Sequence, residues 1–108
     1  MAHKYSFCAS GGFLSNGTLV NIGGNLAEGA VRGGVPDGNG LQALRQFEPS
    51  SCPDDRSEPC AMVEFPTRMR LATRRWYPSA VRLDDGSLMI IGGSTNGAFM
   101  NNVSGRQF

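Results

Sequence analysis

The sequence predicts an all-β fold, and three observations carry that prediction. Fifteen glycines and six prolines in 108 residues mark many tight turns, which favours short strands over long helices. Two segments match at a constant spacing of 69 residues, each with an Asn-Gly or Asp-Gly pair between two runs. Each copy then ends on a double glycine, Gly23-Gly24 in the first and Gly92-Gly93 in the second.

The first copy covers residues 7–24 and the second 76–93. Ser10/Ser79, Leu14/Leu83, Asn16/Asp85, Gly17/Gly86, Thr18/Ser87, Leu19/Leu88 and Ile22/Ile91 agree in register, a set too long for chance. Each copy reads as a β-hairpin. One strand runs into Asn16-Gly17 or Asp85-Gly86, short turn signals expected to take φ > 0 at both residues. The return strand, Leu19-Val20-Asn21-Ile22 or Leu88-Met89-Ile90-Ile91, leads to the double glycine. Between the copies, residues 41–47 read as a third strand, with a helical turn over 41–44 as the rival. Residues 62–65 or 69–71 supply a fourth.

A strand closing on Gly-Gly resembles the blade of a kelch-type β-propeller, whose period is ~50 residues. A spacing of 69 then implies an insertion of roughly twenty residues. The Gly-rich stretch 29–40 and the polar loop between Cys52 and Cys60 account for it. On this reading the chain holds about one and a half blades, the first over about 7–75 and the start of the next over 76–108. Repeat architectures bury their apolar faces only against neighbouring repeats, so the chain is expected to be a piece of a larger ring.

Ten Lys+Arg against nine Asp+Glu leave a net charge of +1, which gives no electrostatic case for nucleic acid or an anionic membrane as partner. The cluster Arg68, Arg70, Arg74 and Arg75 reads as a solvated strand-and-loop face. No apolar run approaches the ~20 residues that span a bilayer. The N-terminus lacks the apolar stretch of a signal peptide, so either the protein is cytosolic or its true start lies upstream. The cysteines favour the second option. Cys52 and Cys60 flank a loop with two prolines and no apolar residue, and a disulfide across it would restrict the unfolded chain and require an oxidising compartment. Two free thiols are the alternative. A metal site is a poor one, because no further Cys or His lies nearby. Cys8 is left over.

Cys8 and Tyr77 occupy the same repeat position, near the start of the innermost strand of their blades. Equivalent positions of adjacent blades approach one another near the ring axis, so the repeat predicts that this sulfur and this phenol meet. Taken singly, Cys8 reads as a small buried hydrophobe and Tyr77 as a core aromatic with a hydrogen-bonded hydroxyl.

The surrounding sequence goes further. Phe7-Cys8-Ala9-Ser10-Gly11-Gly12-Phe13-Leu14-Ser15-Asn16-Gly17-Thr18 resembles the cysteine-bearing segment of the glyoxal oxidase family, copper radical oxidases related to galactose oxidase. Arg75-Trp76-Tyr77-Pro78-Ser79, followed by Asp85-Gly86-Ser87-Leu88, resembles its tyrosine-bearing segment. Gly40-Leu41-Gln42-Ala43-Leu44-Arg45 and Arg68-Met69-Arg70-Leu71-Ala72-Thr73 are similar to that family as well. The resemblance implies an early portion of a propeller that has seven blades in galactose oxidase. It implies a thioether between Cys8 and the ring of Tyr77, with the Tyr77 oxygen on copper. Such a sulfur substituent spreads an unpaired electron and eases formation of a tyrosyl radical, a cofactor made from the protein itself. The implied reaction oxidises a simple aldehyde to a carboxylic acid, with O2 reduced to hydrogen peroxide, in a secreted parent protein.

The same resemblance requires two histidines and an axial tyrosine. The only histidine, His3, and the only other tyrosine, Tyr5, do not match those positions, so the remaining copper ligands are expected beyond residue 108 and the chain alone is expected to be inactive. Trp76, next to Tyr77, is expected on the opposite face of its strand as packing between blades. Asn16-Gly17-Thr18 and Asn102-Val103-Ser104 are N-glycosylation sequons that matter only in a secreted protein. Two other functions compete with the oxidase: a kelch-type module that binds proteins without redox chemistry, and a truncated gene product with no function of its own.

Overall fold

The computed structural model describes residues 6–25, 31–32, 35–36, 38–54, 60–65 and 67–95. Its elements run β1 (Ser10–Phe13), β2 (Leu19–Ile22), β3 (Val31–Arg32), β4 (Val35–Pro36), β5 (Leu44–Phe47), a single 3-10 turn over Pro49–Ser51, β6 (Val63–Glu64), β7 (Ser79–Arg82) and β8 (Leu88–Ile91). The fold is all-β. Strands β1, β2, β5 and β6 form one antiparallel sheet in that order, with β3–β4 and β7–β8 as two-stranded ribbons.

The two hairpins share one register. Ser10 faces Ile22 and Phe13 faces Leu19 in the first; Ser79 faces Ile91 and Arg82 faces Leu88 in the second. Their loops also match, bond for bond. Leu14 N–H donates to Thr18 O and Gly17 N–H to Leu14 O, as Leu83 N–H does to Ser87 O and Gly86 N–H to Leu83 O. The turn type differs from the sequence expectation, because only the glycine is left-handed: Gly17 has φ 86° and Gly86 84°, whereas Asn16 and Asp85 have no positive φ. These are longer loops closed by a left-handed glycine. Asn16 and Asp85 serve as acceptors instead, taking the N–H of Thr18 at 3.0 Å and of Ser87 at 2.9 Å.

The third strand is shorter than residues 41–47. Leu41 and Gln42 form a turn, and Ala43 bridges Arg70 before β5 begins. Both candidates for the fourth strand lie along that edge: β6 pairs with β5 through Gln46–Val63 and Arg45–Glu64, and Arg70 follows at Ala43. The stretch assigned to an insertion contains the β3–β4 ribbon, which the sequence reading did not anticipate.

The core lies between the four-stranded sheet and the β7–β8 hairpin. Val20, Ile22 and Leu71 are its buried centre, with Leu14, Leu44, Ala80, Leu88 and Ile90 packed around them. Alternation along β2 and β8 sends Val20 and Ile22 from one side, and Leu88 and Ile90 from the other, into this layer. Strand β1 consequently lies beside β7, and the residues that lead into these two strands are neighbours.

Candidate functional site

Cys8 and Tyr77 lead into β1 and β7, and they are the only non-glycine residues with positive φ among those described: 62° and 53°. A left-handed backbone is costly for side chains of this kind and persists only where surrounding bonds impose it. The bonds are present. Tyr77 N–H donates to the Cys8 carbonyl at 3.1 Å, so the two strained residues clasp each other directly. The preceding segment is strapped to the first sheet as well: Arg75 N–H donates to Leu41 O at 2.7 Å, and Gly24 N–H to Arg75 O at 3.4 Å. Trp76 exchanges both backbone hydrogen bonds with Ser94, each at 2.9 Å.

The Cys8 thiol, half-buried and outside any disulfide, lies near enough to the Tyr77 phenol to raise that phenol's pKa above the ordinary 10.0. Tyr77 itself is 60% exposed, so the ring edge is open to solvent or to further polypeptide. The sign of the pH effect follows from the raised value. Because the neutral phenol is favoured in the folded chain, its contribution is complete below the ordinary pKa and disappears as pH climbs through the raised one. Replacing Cys8 by alanine in a Tyr5→Phe background will therefore move the ultraviolet titration of Tyr77 down towards the ordinary phenol value. An unmoved titration would mean that thiol and phenol are not in contact in solution.

Trp76 corrects the sequence expectation. Its ring stands edge-on to Tyr77 with centroids 4.7 Å apart and planes at 72°, not on the opposite face. The rule of alternating faces applies to extended backbone, and the left-handed φ of Tyr77 breaks it. The basic cluster is corrected in part. Arg75 is half-buried and donates to the Gly92 carbonyl, while Arg68 lies 5.8 Å from the Phe65 ring centroid and Arg70 donates to Gln42 Oε1. Only Arg74 of the four is an exposed side chain for which no contact is described.

Cys52 and Cys60 are joined by a disulfide, their Cα atoms 5.2 Å apart. Asn16 is exposed in its hairpin loop. His3, Tyr5 and Asn102 lie outside the described residues. Sequence reasoning missed Arg45, a charged side chain buried in the four-stranded sheet. The available signal was its partner Asn21, a polar residue where the second copy has Ile90.

Among the described residues no cluster of three His, Cys, Asp or Glu side chains could hold a metal ion. The pair offers one phenol oxygen and one sulfur, without the nitrogen donors that copper prefers. The described donor set does not fit a copper ion by itself. No described helix is long and apolar enough to cross a membrane.

In sequence the chain is similar to two aldehyde oxidases. Over 88 residues, 82% of the chain, it is 35% identical to aldehyde oxidase GLOX1 of Arabidopsis thaliana. Over 88 residues it is 33% identical to aldehyde oxidase GLOX of Vitis pseudoreticulata. The match spans only 11% of the first relative and 14% of the second. No protein-family model matches the chain. No solved structure matches it either.

Proposed function

We propose that this sequence is part of a secreted copper radical oxidase, with Cys8 and Tyr77 as the residues of its redox cofactor. In this reading the four-stranded sheet is one blade of a kelch-type propeller and the β7–β8 hairpin begins the next. Sulfur and ring carbon are joined by loss of one hydrogen from each, and O2 takes both to become hydrogen peroxide. The mature protein then oxidises a simple aldehyde and water to a carboxylic acid, again with O2 reduced to hydrogen peroxide. The observation that carries the reading is the backbone hydrogen bond from Tyr77 N–H to the Cys8 carbonyl, which joins the two left-handed non-glycine residues, in a chain similar to two aldehyde oxidases. Left-handed backbone at non-glycine residues clusters at functional sites, which supports this pair as one.

Copper would supply the one-electron partner to the tyrosyl radical, but its nitrogen ligands come from parts of the parent other than the described residues. On this reading these residues would hold the sulfur near the ring; the exposed Tyr77 ring and the Trp76 ring edge beside it support that role. The Cys52–Cys60 disulfide is in keeping with an oxidising compartment.

Intact-mass measurement of the full-length protein after copper loading in air tests the proposal. The expected product is lighter by two hydrogens, with Cys8 inert to thiol reagents and peptide mapping joining it to Tyr77. An unchanged mass with Cys8 alkylated would instead leave a propeller-type binding module without redox chemistry.

A further inference from the structure

The geometry points to Arg45 as a positioning residue that holds both arms of the Cys8–Tyr77 pair through one buried fork, an inference that rests on the pair being the functional site. Arg45 Nε lies 3.3 Å from Glu64 Oε1, with only 6% and 13% of the two side chains exposed. Its Nη1 donates in two directions, to Asn21 Oδ1 at 2.6 Å and to the Gly23 carbonyl at 2.9 Å. Each branch leads to one arm. Asn21 Nδ2 donates to the carbonyl of Ser10 at 3.3 Å, two residues after Cys8. From Gly23 the chain passes to Gly24, whose N–H donates to the carbonyl of Arg75 at 3.4 Å, two residues before Tyr77.

The residue types suit that task. Guanidinium is a planar fork that can serve a carboxylate and two oxygens at fixed angles, which a lysine ammonium on a flexible stem does not reproduce. A buried ion pair is weak support for stability, since apolar residues of similar volume often replace it without loss. In some systems such buried polar groups specify one arrangement over others. Here that arrangement is the relative placement of two strained residues contributed by different sheets. Glu64 orients the fork from β6, so three strands of the first sheet converge on the placement of a tyrosine that precedes the second.

The test reads the thiol of Cys8 by its rate of reaction with a disulfide reagent such as DTNB, followed at Cys8 by peptide mapping, in the full-length protein prepared without copper and with the Cys52–Cys60 disulfide intact. Arg45→Met combined with Glu64→Leu removes the fork without stranding a charge. The expected result is a rate increase of about tenfold, with far-UV circular dichroism and urea midpoint close to the parent. Arg45→Lys, which keeps the charge but loses the fork, is expected to give a similar increase. Parent-like rates in both folded variants would overturn the inference. Should the double variant fail to fold, Asn21→Ala decides, since it removes only the branch to Ser10. A rise of about threefold supports the fork, and no rise overturns it. Tyr77→Ala separates the two claims. If removing the ring leaves Cys8 unchanged, the pair itself is wrong and the fork falls with it; if Tyr77→Ala accelerates the thiol while the Arg45 variants do not, only the fork is lost.

Discussion

Arg45→Met alone is expected to destabilise the chain by about 3–5 kcal/mol, read as a fall in the urea midpoint at unchanged slope. The loss comes from what is left behind. Glu64 would lose the guanidinium beside its largely buried carboxylate, while Asn21 Oδ1 and the Gly23 carbonyl would each lose a charged donor. Burial already lowers the pKa of the Arg45 guanidinium, and only the Glu64 charge works in the other direction. The Glu64 charge thus favours the charged guanidinium. Adding Glu64→Leu to Arg45→Met should restore most of the stability, because the stranded charge is then gone. A single variant as stable as the parent would show that water reaches this pair freely in solution.

Gly23→Ala is expected to cost about 2–4 kcal/mol, and its repeat partner Gly92→Ala only about 1–2 kcal/mol. The two glycines share the left-handed region, with φ 72° and 66°, so the intrinsic strain of a side chain is alike. Their surroundings differ. A Cβ on Gly23 would lie 2.5 Å from the Arg75 carbonyl oxygen and 3.3 Å from Pro78 Cγ, whereas one on Gly92 would meet nothing within 4 Å. The obstacle is backbone, which yields only if the segment leading to Tyr77 moves away from the first sheet. Paired urea unfolding of the two variants checks the difference, and equal losses would mean that the two sheets do not approach this closely.

Much of the fold was legible because its signals are local. Each hairpin announces itself through Asn16-Gly17 or Asp85-Gly86 and through a β-branched or aliphatic return strand. The repeat places Cys8 and Tyr77 at equivalent positions in the two copies. The strand at Leu44–Phe47 was found with its start misplaced, since the turn at Leu41 and Gln42 is imposed by hydrogen bonds to the segment before Tyr77. Two features escaped for one reason. The expectation for Trp76 rests on alternation, which assumes extended backbone, and the left-handed φ of Tyr77 goes with its N–H bond to the Cys8 carbonyl, which no local pattern encodes. Arg45 reads in sequence as an ordinary outward charge on a short strand. Its burial depends on Asn21 and Glu64 arriving from the two flanking strands.

The amino-acid sequence by itself determined the all-β character, the paired hairpins and the kinship of the residues around Cys8 and Tyr77. Turn chemistry and the period of apolar residues act within a few positions, so they can be read along the chain. Only the tertiary structure decided that Tyr77 hydrogen-bonds the Cys8 backbone while both residues take a left-handed φ, that the Trp76 ring stands edge-on to Tyr77, and that Arg45 is buried beside Glu64. Those contacts depend on sheet register and on the close approach of two separate sheets, which emerge only when distant segments pack.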